Sequence, residues 1–120
     1  MKLTKKEKEM LVKEHNRPED QKKGIAYVKL FNPTGTGTWY LTELNPETNV
    51  AFGLAGIQEW ELGYIDLNEL AAFKGQFGLG IEKDRWFDPK TVDEIQEEIY
   101  GLDKKRRNEI KEKILMEAQQ

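Results

Sequence analysis

Residues 59–73 read EWELGYIDLNELAAF, and this stretch decides the fold because it predicts a β-strand that runs directly into a capped helix. Successive side chains of a strand point to opposite faces. One predicted face carries Trp60, Leu62, Tyr64 and Asp66, and the other carries Glu59, Glu61, Gly63, Ile65 and Leu67. Asp66 followed by Glu69 is a capping-box pattern for the helix start. The stretch therefore ties a sheet to a helix.

Three further strands are predicted upstream of this stretch. They cover residues 24–32, 38–44 and 50–57, and the connections between them are turn-forming segments rich in Asn, Pro, Gly and Thr. Connections this short favour an antiparallel meander. Gly53 lies inside the third strand, where a glycine indicates the close approach of another element. Residues 81–87 predict either a short fifth strand or an extended arm.

Both ends of the chain are predicted to be helical. Thr4 with Glu7 is a capping box for a helix over residues 4–15, and its thin apolar stripe predicts packing at an edge. Thr91 with Glu94 opens another helix, which Gly101 is expected to stop before a last helix over residues 103–120. The predicted fold class is α+β: an antiparallel sheet of four to five strands, a short inserted helix and helices at both termini.

The composition limits the classes of function. A chain of 120 residues predicts a single domain over residues 1–120, with a sheet core at 24–89 and helical ends at 1–23 and 90–120. The absence of cysteine excludes disulfides, thiolate metal sites and cysteine nucleophiles. No apolar run approaches the roughly 18 residues that a membrane-spanning helix needs. A cytoplasmic protein without a membrane partner is the expectation.

Charge is distributed unevenly along the sequence. Residues 1–23 carry eight Lys/Arg and five Asp/Glu, residues 24–100 carry five and thirteen, and residues 101–120 carry six and four. The balances are therefore +3, −8 and +2, which sum to the net charge of −3. The basic ends are either contacts for nucleic acid or an acidic partner, or simply solvated helix faces.

Short motifs in a fixed order carry a resemblance to a known family. They are Trp39-Tyr40, Thr42-Glu43, Phe52-Gly53-Leu54, Glu61-Leu62-Gly63-Tyr64, Glu69-Leu70, Gly78-Leu79 and Ile81-Glu82-Lys83-Asp84, followed by Phe87 and Pro89. Together they resemble the bacterial domain-of-unknown-function family 2958 over residues 25–89, with both basic ends outside. The resemblance implies a fold and an origin on plasmids or conjugative elements, and it implies no residue roles.

One candidate site is acidic. Glu61 and Asp66 lie on the fourth predicted strand, and Glu82 and Asp84 alternate on the fifth. If these carboxylates converge, they can bind Mg²⁺ or Mn²⁺ and support cleavage of single-stranded DNA. The alternative is a set of solvent-facing carboxylates with Asp66 as a helix cap, because Asp66 and Glu61 point to opposite faces of a regular strand. No cofactor is expected outside the metal-dependent alternative.

A second candidate site is aromatic and basic. Aromatic rings on a sheet can stack unpaired bases while neighbouring cations hold the backbone. The candidates for nucleic-acid contact are Trp39, Tyr40, Lys83, Arg85, Trp86, Lys104, Lys105, Arg106 and Arg107. The alternative is that the rings form the core and its rim. His15 is the only histidine, and it is expected to be a surface residue without a partner.

These patterns predict an accessory domain of a mobile genetic element that binds a protein or nucleic-acid partner without catalysis. A metal-dependent nuclease is the first alternative. The second is an acidic mimic of DNA that occupies a DNA-binding protein, which the balance of −8 in the body of the chain allows. The sequence leaves the oligomeric state open.

Overall fold

A computed structural model of the chain describes residues 1–119, and for residues 102–104 it describes the backbone alone. The helices are α1 (Lys5–His15), α2 (Leu67–Ala72) and α3 (Val92–Ala118). The strands are β1 (Ile25–Ala26), β2 (Val28–Phe31), β3 (Thr38–Asn45), β4 (Val50–Gly56), β5 (Trp60–Asp66), β6 (Glu82–Lys83) and β7 (Lys90–Thr91). The predicted α+β class, with an inserted helix and helices at both termini, is confirmed.

Five strands form one antiparallel sheet in the order β5-β4-β3-β2-β6. The meander from β2 to β5 follows the chain, as the short turns predict. β1 and β7 pair separately as a two-stranded antiparallel ribbon. The first predicted strand is interrupted at Tyr27, which separates β1 from β2, and the predicted fifth strand is reduced to the two residues of β6.

Each side of the sheet packs against one terminal helix. On the α1 side, Leu11 is fully buried against a core that includes Leu30 and Leu41. The prediction that α1 packs at an edge is wrong, because Leu11 packs against the inner strands β2 and β3, although most of the helix surface stays exposed. On the α3 side, Val92 and Ile95 pack against Leu54.

The junction between β5 and α2 forms as the sequence predicts, except that Glu69 does not return the hydrogen bond that completes a capping box. The Asp66 carboxylate caps α2 by accepting a hydrogen bond from the Asn68 amide at 2.9 Å and a longer one from Glu69. Leu67 is buried in the core on the α1 side, and Leu70 packs beside it. α2 ends at Ala72, so Phe73 lies beyond the helix.

α3 is one continuous helix, and the predicted stop at Gly101 is wrong. It spans 27 residues, which corresponds to about 40 Å at 1.5 Å per residue. A glycine inside a helix costs only about 0.5–1 kcal/mol relative to alanine, which does not break a helix that is otherwise favoured. From residue 100 onward every side chain that the structure describes is exposed, so α3 projects from the body of the protein. Among residues 1–119, no helix combines the length and the apolar character that crossing a bilayer requires.

Candidate binding surface

The α3 side of the sheet carries a contiguous group of four rings and one leucine, of which Trp60, Leu62 and Tyr64 are exposed. We call this group the aromatic face and define it as Tyr40, Phe52, Trp60, Leu62 and Tyr64. Antiparallel pairing sets Phe52 opposite Tyr64 and Leu54 opposite Leu62, while Tyr40 pairs with Leu54 from the other side. Five neighbouring positions on three strands therefore point in the same direction.

The rings of the aromatic face support one another. The centroids of Phe52 and Tyr64 are 5.4 Å apart in an edge-to-face arrangement, and those of Tyr40 and Trp60 are 6.0 Å apart. Even so, Tyr64 is 84% exposed and Trp60 is 41% exposed. Contiguous exposed apolar groups of this kind mark interaction sites more often than isolated ones do.

Cations near these rings are already paired with carboxylates. The Lys29 ammonium lies 5.7 Å from the Tyr40 ring centroid and 3.7 Å from the Asp84 carboxylate. The Phe87 ring centroid is 5.6 Å from that of Tyr40. The Lys90 ammonium lies over the Phe87 ring and is 3.0 Å from the Glu98 carboxylate. These ion pairs leave little positive charge to attract a phosphate.

A cavity of about 260 Å³ is lined in part by Phe52 and Tyr64. We call it the carboxylate pocket. Its lining residues are Glu14, Glu19, Lys22, Gly24, Thr42, Glu43, Phe52 and Tyr64. Three carboxylates thus face one ammonium at the edge of the aromatic face.

Two of these carboxylates, those of Glu14 and Glu43, are mostly buried. Glu14, only 2% exposed, accepts a hydrogen bond from the Lys23 amide at 2.5 Å and pairs with the Arg17 guanidinium at 3.1 Å. Glu43 receives the Lys22 ammonium at 3.1 Å and lies 3.2 Å from Nδ1 of His15. These contacts attach the end of α1 and the segment after it to β3.

The ionisation of Lys22 is stabilised inside this network. The hydrogen bond to Glu19, at 2.6 Å, raises the pKa of Lys22; burial opposes this effect, and the hydrogen bond and charge of Glu43 reinforce it. Burial raises the pKa of the Tyr27 hydroxyl, and the Glu14 carboxylate adds to that shift. Lys22 therefore stays charged and neutralises one of the three carboxylates.

A β-bulge places the pocket and the rings next to each other. The register between β3 and β4 shifts between Leu41 and Glu43, so that Glu43 comes opposite Phe52. Bulges bend a strand and redirect its side chains. Gly53 makes the bulge possible, because a Cβ atom there would run into the Tyr40 carbonyl oxygen and lie 3.1 Å from Cα of Leu41. This is the close approach that a glycine inside the strand predicts.

The four carboxylates predicted as a metal site are not brought together. Glu61 and Asp66 belong to β5, whereas Glu82 and Asp84 belong to β6 and the residue after it. These strands are the two outer strands of the sheet, four strand spacings or about 19 Å apart. Because β6 pairs with β2, the strands β2, β3 and β4 lie between the two pairs of acids, and the sequence alone did not specify that pairing.

Two of these acids, Asp66 and Asp84, make hydrogen bonds that fit a structural role. Asp66 caps α2, and Asp84 accepts a hydrogen bond from the Trp86 amide at 2.9 Å. Glu61 lies on the opposite side of β5 from Asp66, as strand alternation requires. In residues 1–119, leaving aside the side chains of 102–104, no three histidine or acidic residues come close enough to hold a metal ion.

The candidates for nucleic-acid contact are dispersed. Trp39 is 7% exposed within the core on the α1 side, so its ring cannot stack on a base. Lys83 pairs with Glu7 of α1 at 2.8 Å. Tyr40 belongs to the aromatic face, whereas Arg85 and Trp86 occupy an exposed turn after β6. Lys105, Arg106 and Arg107 are exposed on α3, and the side chain of Lys104 lies outside the described residues.

Several residues of this surface were missed from the sequence. The expectation that His15 has no partner is wrong, since its ring lies beside Glu43. Glu14, Lys22 and Glu43 gave no signal, because their contacts join distant parts of the chain. Leu62 could have been selected, because it alternates with Trp60 and Tyr64 on the predicted strand.

Comparison with known proteins gives one match. A family model described as "Protein of unknown function (DUF2958)" matches residues 2–95. The match includes α1, the whole sheet and the start of α3, so it extends further towards the N-terminus than the motifs indicate. No curated protein and no solved structure matches. The aromatic face and the carboxylate pocket lie within the matched residues.

Proposed function

The chain belongs to the DUF2958 family of proteins of unknown function, and from that premise we propose that it is a non-catalytic domain that binds a protein partner through its aromatic face. In the biological setting that the sequence motifs imply, it would serve as an accessory domain of a mobile genetic element. The observation that carries the proposal is the exposed, contiguous aromatic face beside an acidic pocket.

The aromatic face has the composition of a binding surface. Tyrosine and tryptophan are enriched at the centres of protein interfaces, because they bury a large area with few rotatable bonds. Tyr64 rests against Phe52 of the adjacent strand β4, and Trp60 reaches across β4 to Tyr40 of β3, so binding would cost them less side-chain entropy. The sheet below the rings is a rigid support.

Charge favours a basic protein segment over nucleic acid. In the carboxylate pocket, Glu14, Glu19 and Glu43 are balanced by Lys22 and by the Arg17 guanidinium that pairs with Glu14, which leaves a surplus of one negative charge, and residues 24–100 have a balance of −8. A phosphate backbone would be repelled there. A lysine or arginine side chain of a partner would gain both from the carboxylates and from the faces of Phe52 and Tyr64.

The two alternatives receive less support. A nuclease that uses Mg²⁺ or Mn²⁺ would need the carboxylates of β5 and β6 in one site, and about 19 Å separates those strands. A DNA mimic needs an uninterrupted run of free negative charge, whereas Glu7, Asp84 and Glu98 each pair with a lysine.

Selection of peptides against the full chain tests the proposal. A random peptide library displayed on phage is enriched on the immobilised protein, and recovered peptides are titrated against two variants. Tyr64→Asp alters the aromatic face, whereas Phe77→Asp alters an equally exposed ring, 93% exposed, outside that face. We expect peptides that combine Lys or Arg with apolar residues. Their affinity should fall at least about tenfold in Tyr64→Asp, equivalent to about 1.4 kcal/mol, and stay unchanged in Phe77→Asp.

Two outcomes would overturn the proposal. The first is a failure to enrich peptides, or an affinity that Tyr64→Asp leaves unchanged. The second comes from a titration with fluorescent oligothymidylate, for which we expect no change in anisotropy. A rise that weakens with salt and disappears in Tyr64→Asp would instead favour single-stranded nucleic acid as the partner.

A further inference from the structure

The two edges of the sheet, formed by β5 and β6, differ in length and regularity. β6 is only two residues long, and the chain turns away after it. β5 is seven residues long, pairs with β4 along its whole length without a bulge, and contains no proline. Long regular edges are normally shortened, bulged or covered, because they present a row of unpaired backbone groups. The edge at β6 follows this rule, whereas the edge at β5 does not.

The outer edge of β5 has no pairing partner within residues 1–119. The only strand paired with β5 is β4, and no turn or loop donates a backbone hydrogen bond to β5. Every second residue of β5 therefore directs its N–H and C=O away from the sheet. The side chains beside this edge are also uncovered: Trp60, Leu62 and Tyr64 are all exposed.

The sequence of β5 is complementary to itself. The exposed apolar residues are spaced symmetrically around Leu62, with Trp60 two positions before it and Tyr64 two positions after it. An antiparallel second copy centred on Leu62 would set Trp60 opposite the second copy's Tyr64 and Leu62 opposite the second copy's Leu62. Aromatic and aliphatic cross-strand pairs of this kind stabilise sheets.

Neighbouring registers are less favourable. Centring the pair on Glu61 would set two glutamates directly opposite each other, which is destabilising. Centring it on Gly63 would set Trp60 opposite the carboxylate-bearing Asp66. In the register centred on Leu62, Glu61 comes opposite the glycine at position 63 and has no like charge directly opposite it. Alternation and charge thus select the same arrangement.

We propose that β5 is the interface of a homodimer, in which two copies pair antiparallel around Leu62 into one sheet of ten strands. A two-fold axis uses the free long edge of both copies, and the short β6 edges remain at the outside. Assembly therefore stops at two copies. The two aromatic faces become neighbours on the same side of the joined sheet, which goes beyond the binding function proposed for a single copy.

Cysteine cross-linking tests both the dimer and its register. The chain has no cysteine, so a single introduced thiol can form a disulfide only with its counterpart in another copy. In the proposed dimer the two Leu62 positions are directly opposite, with Cα atoms about 4.5–5.5 Å apart, within the range that a disulfide spans. The two Tyr64 positions are offset by four residues, or about 13 Å, which a disulfide cannot span.

We expect Leu62→Cys to give a disulfide-linked dimer under mild oxidation and Tyr64→Cys to remain monomeric on a non-reducing gel. In analytical ultracentrifugation, the cysteine-free chain should show a concentration-dependent dimer. Leu62→Lys should abolish that dimer, and Leu79→Lys, the same substitution at an exposed leucine outside β5, should not. Thermal unfolding of each variant checks that it is folded.

Equal cross-linking of the two cysteine variants would overturn the proposal, as would a chain that stays monomeric at all concentrations. A dimer that Leu62→Lys leaves intact would also overturn it. Peptide binding to a monomer would leave the proposed function standing while this inference fails, so the two failures can be distinguished.

Discussion

Replacing Gly53 with alanine should destabilise the fold far more than replacing Gly63, the glycine paired with it on the adjacent strand. A Cβ atom at position 53 would collide with the Tyr40 carbonyl oxygen and lie 2.9 Å from the carbonyl carbon of the same residue. These are backbone atoms at the β-bulge, so no side chain can rotate away. At Gly63 a Cβ atom meets nothing within 4 Å.

The expected loss of stability in Gly53→Ala follows from the backbone and side chains that the added Cβ atom displaces. Separating β3 from β4 at this point weakens one or two ladder hydrogen bonds, at about 0.5–1.5 kcal/mol each. Displacing packed residues adds about 1–3 kcal/mol. We therefore expect Gly53→Ala to lower the free energy of unfolding by about 2–4 kcal/mol. Gly63→Ala should be neutral or stabilise by up to about 1 kcal/mol, because alanine restricts the unfolded chain.

Urea unfolding measured by tryptophan fluorescence gives both values, with Trp39 as a buried reporter. The melting temperature of Gly53→Ala should fall by roughly 8–16 °C at about 4 °C per kcal/mol for a chain of this size. If Gly53→Ala lies within about 0.5 kcal/mol of the wild-type chain, the size of an ordinary surface effect, the account of the bulge is wrong. Equal losses in the two variants would refute it as well.

Three other predictions concern the helices. Thr4→Ala removes the hydroxyl that accepts a hydrogen bond from the Glu7 amide at 3.1 Å. Thermal unfolding should show that the free energy of unfolding falls by about 1 kcal/mol. An unchanged unfolding midpoint would contradict the role of Thr4 as a helix cap. Burial raises the pKa of Glu7, but hydrogen bonds from Lys83 and Thr4 outweigh it and lower the pKa below its ordinary value. The ionised Glu7 carboxylate therefore stabilises the fold above the unfolded-state pKa of about 4.3, and this stabilisation is lost as pH falls through the folded-state pKa. The difference in stability between the wild-type chain and Glu7→Gln should shrink between about pH 6 and pH 3. If the stability of the wild-type chain and that of Glu7→Gln change with pH in parallel, this linkage is contradicted. Gly101→Ala should stabilise α3 by about 0.5–1 kcal/mol and raise the helical circular dichroism signal, whereas a loss of helix would mean that the helix ends at this glycine.

The sequence predicts local structure well where the signal is itself local. Asp66 caps α2 and Thr4 caps α1 because each motif lies within a few residues of the amides that it satisfies. The order of β2 to β5 is also predictable, since short turns leave antiparallel pairing as the simplest connection. Gly53 marks a close approach, although the sequence does not say that a bulge causes it.

The errors arise where distant contacts decide. Gly101 is an error of a different kind, because a glycine is compatible with both a helix stop and a helix interior, and here it lies inside α3. A thin apolar stripe predicts edge packing for α1, but Leu11 is seated at the centre of one side of the sheet. The length of β6 depends on pairing with β2, which no local pattern reveals.

The candidate site was only partly predictable for the same reason. Alternation identifies Trp60, Leu62 and Tyr64 as one face of β5, but exposure depends on which part of the sheet α3 covers. Trp39 and Tyr40 are adjacent in sequence, yet one is in the core and the other is on the aromatic face. The carboxylate pocket depends on contacts between the end of α1 and β3, which the linear pattern does not contain.

The three tryptophans allow the most direct test of the aromatic face as the binding surface. Trp60 belongs to that face, Trp39 is buried on the α1 side, and Trp86 is 92% exposed on a separate turn. Each indole N–H gives its own resonance in the NMR spectrum of an isotope-labelled chain titrated with a selected peptide. The account predicts that the Trp60 resonance shifts in proportion to binding while those of Trp39 and Trp86 stay in place. A shift at Trp86 with no change at Trp60 would contradict it.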